Sequence, residues 1–259
     1  MDKNINTFSN SKITSVVFEN THLLIEPSDI LRTIALTSFA GFTSFLGIYI
    51  SKRINFSQRH IRAFTSFGAG ILISAAIFEM AIEAEKLVGF VLTFVAFIGG
   101  AIVFTLLDWL AERKGGGAGI LLGMGLDTIP ESLAIGAAVG SMGSATALAL
   151  LIGIQNITEG IAAFREMKES KSWLKQTKHI LFATAAISII PIIMGLIGLF
   201  YMQGMGQVIG IVLALSAGGI FYMLHYDMIP KAHKGGEWLP TFGATFGFIV
   251  GFAIVMNMG

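Results

Sequence analysis

The sequence predicts an all-α membrane protein of eight transmembrane helices, with both termini outside the cytoplasm. Three observations carry that prediction. Of the 259 residues, 54% are hydrophobic and only 13% charged, with a mean hydropathy of +0.76. A soluble domain carries about 25% charged residues. Apolar runs of about 20 residues, the length that crosses a bilayer core, recur along the chain. Between them, basic residues alternate from one connector to the next.

The elements follow in order. Residues 1–29 form a polar leader without the basic-then-apolar order of a signal peptide, and are expected outside the cytoplasm. Residues 30–259 then form one transmembrane domain. Its spans fall near 30–51, 62–83, 87–110, 118–142, 144–164, 179–202, 205–229 and 239–258. Span 1 is followed by Lys52, Arg53, Arg59 and Arg62, and span 3 by Arg113 and Lys114. Span 5 is followed by Arg165, Lys168, Lys171, Lys175 and Lys178, and span 7 by Lys231 and Lys234. These connectors hold thirteen of the seventeen Lys and Arg residues. The connectors after spans 2, 4 and 6 hold only Lys86. The positive-inside bias therefore places the first set in the cytoplasm. Small residues at packing spacing, Gly119/Gly123 and Gly136/Gly140, suit close helix contact.

Composition also excludes classes. A net charge of +1 and the absence of a basic block give no footing for nucleic acid. The chain has no Cys, so neither disulfides nor thiolate metal sites occur.

Spans 4 and 5 carry polar residues that lipid does not tolerate without a reason. The stretch "GLDTIPESLAIG" (125–136) holds Asp127, Pro130 and Glu131; "GIQNITEGIAAF" (153–164) holds Gln155, Asn156 and Glu159. An ionised side chain at mid-membrane costs about 2.5–3.5 kcal/mol on the insertion scale, so three unpaired carboxylates cost roughly 8–10 kcal/mol. Neither span supplies a Lys or Arg at that depth. Residues four apart share a helical face, so Asp127 pairs with Glu131 and Gln155 with Glu159. A short turn joins the two spans as antiparallel neighbours, and their oxygens could converge on a cation as in helical-bundle metal sites. Pro130 cannot donate to the carbonyl of Leu126, which leaves a further oxygen beside Asp127. The plainer alternative is protonated carboxylates that hydrogen-bond to neighbouring helices.

The paired motifs "DTIPESLAIG" and "QNITEGIAA" resemble the metal-binding signatures of the ZIP (Zrt/Irt-like protein) family of divalent-metal transporters. "FGAGILISAAIFEMAIEA" (67–84) resembles that family's span 2, and "AGGIFYMLHYDMIPKAH" (217–233) its span 7. The resemblance runs from about residue 30 to the end. It implies an elevator-type bundle, with spans 1, 4, 5 and 6 carrying the site against spans 2, 3, 7 and 8. It further implies inward transport of Zn²⁺, Mn²⁺ or Fe²⁺ as substrate across the cell membrane, without a resident cofactor.

Where the family commonly has His, Asn and Gly in span 4, this chain has Asp127, Thr128 and Ser132, and a span-6 Glu is replaced by Ile190 before Pro191. The second-metal positions of some members correspond to Thr128, Asn156 and Ile190. One metal is therefore expected, on Asp127, Glu131, Gln155 and Glu159, with Asn156 beside them. An all-oxygen set suits Mn²⁺ or Fe²⁺, while the family resemblance favours Zn²⁺. Asp227 matches an exit-route position, with His225 and His233 nearby, and Asp108 could also serve the exit. Glu79 and Glu83 are candidates for the entrance or are solvated helix-end charges. His22, His60 and His179 read as surface residues.

No two of the five His residues have the i, i+4 spacing of a membrane metalloprotease, so an enzyme is not expected. The rival is a metal- or proton-sensing membrane protein that keeps the fold and no longer transports. The expected partners are a divalent cation, the bilayer and, as an oligomer, a second copy of the chain in a homodimer.

Overall fold

A computed structural model describes residues 25–113, 116–141, 145–170, 175–202, 205–234 and 238–258, and every element in it is helical. Most of the polar leader, with His22, and the basic residues Lys114 and Lys171 lie outside the described residues. Helix α1 (Pro27–Arg53) begins with a proline in its first turn, where the missing N–H costs nothing, and ends on Lys52 and Arg53, which complement its dipole. Helix α2 (Gln58–Ser74), capped by Ser57, runs through a π-helical stretch (Ala75–Ala81) into α3 (Ile82–Glu112). Next come α4 (Gly116–Ser141) and α5 (Ala145–Glu169). Helices α6 (Thr177–Ile187) and α7 (Ile190–Met202) share one span. Helix α8 (Gly206–Met223) continues through a π-helical turn (Leu224–Met228) into α9 (Ile229–His233), and α10 (Trp238–Met258) follows.

Among the described residues, seven helical stretches are long and apolar enough to cross a membrane. One of them, Gln58–Leu110, has 53 residues. At 1.5 Å per residue it would extend roughly 80 Å, against a hydrocarbon core of about 30 Å. Its regular path is broken at Gly89, whose φ of 76° and ψ of 163° are not helical. Only glycine adopts that combination without strain. The sequence places the turn a few residues earlier, in "EAEK"; instead helix carries through those residues and the break falls on the glycine.

Two more boundaries differ from the sequence reading. Span 6 is not one helix, since it breaks between α6 and α7 just ahead of Pro191. Proline has no N–H to continue the ladder and disfavours helical geometry in the residue before it. Ser188 covers the break, its hydroxyl lying 2.9 Å from the carbonyls of Gly41 and Thr184. Span 7 extends further than expected, to His233, so Lys231 belongs to a helix and not to a loop.

The helices pack in two groups. Helix α1 lies along α5 and against α7, and α7 lies along α4; separately, α3 lies along α8 and α2 along α10. Contact of α2 with α5 and of α4 with α8 joins the groups. Where α4 meets α7, Gly136 sits directly on the backbone of Gly195, and a side chain there would force the helices apart. Gly123 has open space beside it and does not serve packing.

The core, including Ile71, Leu72, Met80, Ile135, Leu151 and Leu213, is contiguous through both groups. The outside is apolar too. Phe90, Val95, Ile98 and Leu106 of α3 and Phe242, Phe246 and Ile249 of α10 are exposed. In water such faces would aggregate; in lipid they are the solvent-matched surface. Arginines lie near aromatic rings at the basic ends, Arg53 at Tyr49, Arg59 at Trp238 and Arg113 at Trp109. Such amphipathic rings mark a membrane interface. The chain is an integral membrane protein.

Candidate functional site

A cavity of about 860 Å³ enters the bundle between the two helix groups. Its wall includes Asp127 of α4, Gln155 and Glu159 of α5, and Asp227 of the π-helical turn after α8. Gly119 and Asp127 both line it, so it runs roughly 12 Å along α4. Gln155 and Glu169 both line it on α5, a reach of roughly 21 Å. It meets the surface beside Gln58 and Lys234, at the end where the basic residues lie.

The helical register explains the deep wall. Asp127 and Glu131 are successive turns of one α4 face, as are Gln155 and Glu159 on α5. Gln155 is 1% exposed; its Nε2 donates to Glu159 Oε2 at 3.4 Å, while its Oε1 is buried and accepts no hydrogen bond. Glu131 is 2% exposed, one turn further along α4, and is not part of the cavity wall. Pro130 is accommodated inside a continuous helix. The Thr128 hydroxyl donates to the Met124 carbonyl at 2.8 Å. Ile190 of α7 is a neighbour of α4 here, its Cδ1 lying 3.7 Å from where a Cβ on Gly125 would stand.

The other candidate residues separate. Asn156 is buried and its Nδ2 donates to the Ala40 carbonyl at 2.9 Å, tying α5 to α1. Asp227 and Asp108 line the cavity, and the Tyr222 hydroxyl donates to Asp108 Oδ2 at 3.3 Å. His225 is outside the wall: it is exposed, its Nδ1 is 2.8 Å from the Phe221 carbonyl, and its ring stacks on Phe221. Glu79 is 4% exposed within the π-helical stretch after α2, so it is no solvated helix-end charge. Glu83 instead pairs with Lys86 at 2.9 Å. His60 is exposed beside Ser57. Among the described residues, no three His, Asp or Glu side chains gather tightly enough to hold a metal ion by themselves.

Sequence reasoning missed several charged residues of the wall, among them Lys231, Glu166 and Arg165. Lys231 reaches Asp227 Oδ1 at 2.7 Å and Glu166 Oε1 at 3.0 Å, across the cavity from α9 to α5. Counting Lys231 as a loop charge concealed it. The i, i+4 spacing of Asp227 and Lys231, read as helix, is the signal that would have found the first of these contacts. Arg165 also lines the cavity, donating to the Phe56 carbonyl at 2.8 Å and pairing with Glu169 at 3.1 Å.

Comparison with known proteins gives one distant relative to weigh against this geometry. No family model matches the chain. The zinc transporter GufA of Myxococcus xanthus is 26% identical over 142 residues, which are 54% of this chain and 55% of that protein. The similarity spans about half the length of the curated relative. The chain is thus a distant homologue of a zinc transporter, a relationship that agrees with the ZIP-like motifs on α4 and α5.

Proposed function

We propose that the protein transports a divalent transition-metal ion into the cytoplasm through a carboxylate-rich site on α4 and α5. The observation that carries this reading is Gln155 Oε1, an acceptor buried without a donor beside Glu159, in the cavity wall that also holds Asp127. A buried acceptor left unsatisfied costs about 1–3 kcal/mol. A cation held by this oxygen and its neighbouring carboxylates satisfies it and offsets the charge burial together. Asp127, Glu131, Gln155 and Glu159 are the proposed ligands of a single ion, with Asn156 holding α5 against α1 beside them. Asp227 lies on the path to the cytoplasm, and Glu79 is kept as an entrance residue. His225 is kept as an exit-side residue beside Asp227, although it lies outside the cavity wall.

Zinc is supported as substrate by the relative that carries zinc; manganese and iron are supported by the all-oxygen ligand set. The relative is a transporter, and nothing in the chain speaks for an enzyme. Eight crossings are part of the proposal: Gly89 divides the 53-residue stretch into two, which returns both termini to the outer face. The packing of α1, α4, α5 and α7 as one group against α2, α3, α8 and α10 supports an elevator movement, with alternating access around a midplane site. Residence in the cell membrane and a homodimer belong to the same proposal; mass determination in detergent micelles tests the dimer.

The test is uptake by the purified full chain in proteoliposomes loaded with a metal-sensitive dye. Glu131→Gln and Glu159→Gln should each abolish Zn²⁺ and Mn²⁺ uptake while leaving insertion intact. Robust uptake by either variant would place the ion elsewhere. Metal binding by the wild-type chain without any uptake would favour the sensor.

A further inference from the structure

Beyond the ion site, the cavity holds a second arrangement, built around Asp227 on the proposed path to the cytoplasm. Glu166 on α5 and Asp227 in the π-helical turn after α8 both turn their carboxylates to the ammonium of Lys231 on α9. Lys231 Nζ lies 2.7 Å from Asp227 Oδ1, 3.0 Å from Glu166 Oε1 and 3.1 Å from Glu166 Oε2. All three residues line the cavity, toward its open end from Glu159. The wall cation on α5, Arg165, is already committed to Glu169 and to the Phe56 carbonyl.

We infer that Lys231 is a tethered stand-in for the transported ion: Glu166 and Asp227 form an exit station, and the Lys231 ammonium fills it whenever metal is not passing. Two carboxylates that converge on one ammonium can converge on a divalent cation in its place. The exchange is cheap because the side chains of Lys231, Glu166 and Asp227 are 40%, 36% and 45% exposed, and solvated ion pairs are held weakly. The lysine also cannot leave, since its backbone is fixed in α9, so it returns as soon as the ion departs. A pore site must bind well enough to admit an ion and weakly enough to release it. Without Lys231 the two carboxylates would hold the dication and slow its release. The lysine thus acts as a positioning residue for release, competing with the ion for the same oxygens.

This inference rests on the proposed ion site, and the experiment separates the two. Zn²⁺ binding to the full chain in detergent is measured by equilibrium dialysis, alongside uptake in proteoliposomes. The wild-type chain should bind one Zn²⁺. Lys231→Met should bind one more, and its maximal uptake rate should fall about tenfold, because a station that retains the ion adds to the barrier for departure. Lys231→Arg should keep wild-type stoichiometry, and adding Glu166→Gln to Lys231→Met should remove the extra ion. Should Lys231→Met fail to insert, Lys231→Gln takes its place, since an amide is neutral and can still hydrogen-bond to both carboxylates. Glu159→Gln should lose the midplane ion, and Lys231→Met/Glu159→Gln should retain the exit ion alone. Unchanged stoichiometry in Lys231→Met, with Glu159→Gln losing its ion, overturns the exit station and leaves the midplane site standing. An added ion in Lys231→Met, with Glu159→Gln binding like wild type, overturns the midplane site instead.

Discussion

Residue 127 is an aspartate where ZIP-like span-4 motifs commonly have histidine, and the structure puts it in the cavity wall across from Gln155 and Glu159. Asp127→His exchanges a hard anionic oxygen for a borderline neutral nitrogen and removes one of three proposed ligand charges. Ions held mostly by charge, such as Mn²⁺, should lose most. Imidazole bonds Zn²⁺ well, at about 2.0–2.1 Å, so zinc should lose less. Pro130 and the helical face stay as they are. The Zn²⁺-to-Mn²⁺ uptake ratio should therefore rise, as competition in proteoliposomes at fixed pH would record. An unchanged ratio in an active variant would take residue 127 out of the coordination sphere.

At the scale of elements, the break inside α3 hangs on Gly89. A Cβ there would meet nothing within 4 Å, so any cost of Gly89→Ala comes from its φ of 76° and not from crowding. Residues forced into such regions cost about 1–3 kcal/mol. Gly123→Ala has equal space inside a regular helix and should be neutral or stabilising by up to ~1 kcal/mol. Thermal unfolding of the two variants in detergent should therefore move in opposite directions, or at least differ clearly. The same contrast shows what the sequence could reveal. Runs of apolar residues located each helix, because lipid imposes length and composition directly. Facing of Asp127 and Gln155 into one cavity was legible from i, i+4 spacing on adjacent spans. The break before Pro191 was signalled by proline yet outweighed by an apolar run that continues past it. The π-helical stretches at Ala75–Ala81 and Leu224–Met228 had no signal, since a single extra residue per turn leaves composition unchanged. That extra residue shifts which side chains share a face, so reading the span as regular helix does not reveal that Glu79 is buried. Lys231 was hidden for a related reason: its partner Glu166 is 65 positions away, and only packing brings them together.

For the whole molecule, the number of crossings decides which compartment each end meets. An even number returns the chain to its starting side; seven would not. The chain has no Cys, so single introduced cysteines report cleanly. Ser28→Cys and Met258→Cys, exposed at the two ends of the described helices, should label with an impermeant thiol reagent from the same face. Labelling from opposite faces would end the eight-span reading. The cavity has its own consequence at this scale. At about 860 Å³ it holds many waters, each needing about 30 Å³. Of its reach of roughly 21 Å along α5, about 14 Å, from Gln155 to the end of the span at residue 164, lies within the hydrocarbon thickness of about 30 Å. Water conducts ions and hydrocarbon does not, so a membrane voltage cannot fall along the aqueous part. It falls instead across the closed remainder, between the proposed ion site and the far face. For a dication, the full voltage is worth roughly 4–5 kcal/mol per 100 mV. On the proposed inward route, nearly all of that work would be done while the ion crosses the sealed remainder of the protein, and almost none as it leaves through the cavity.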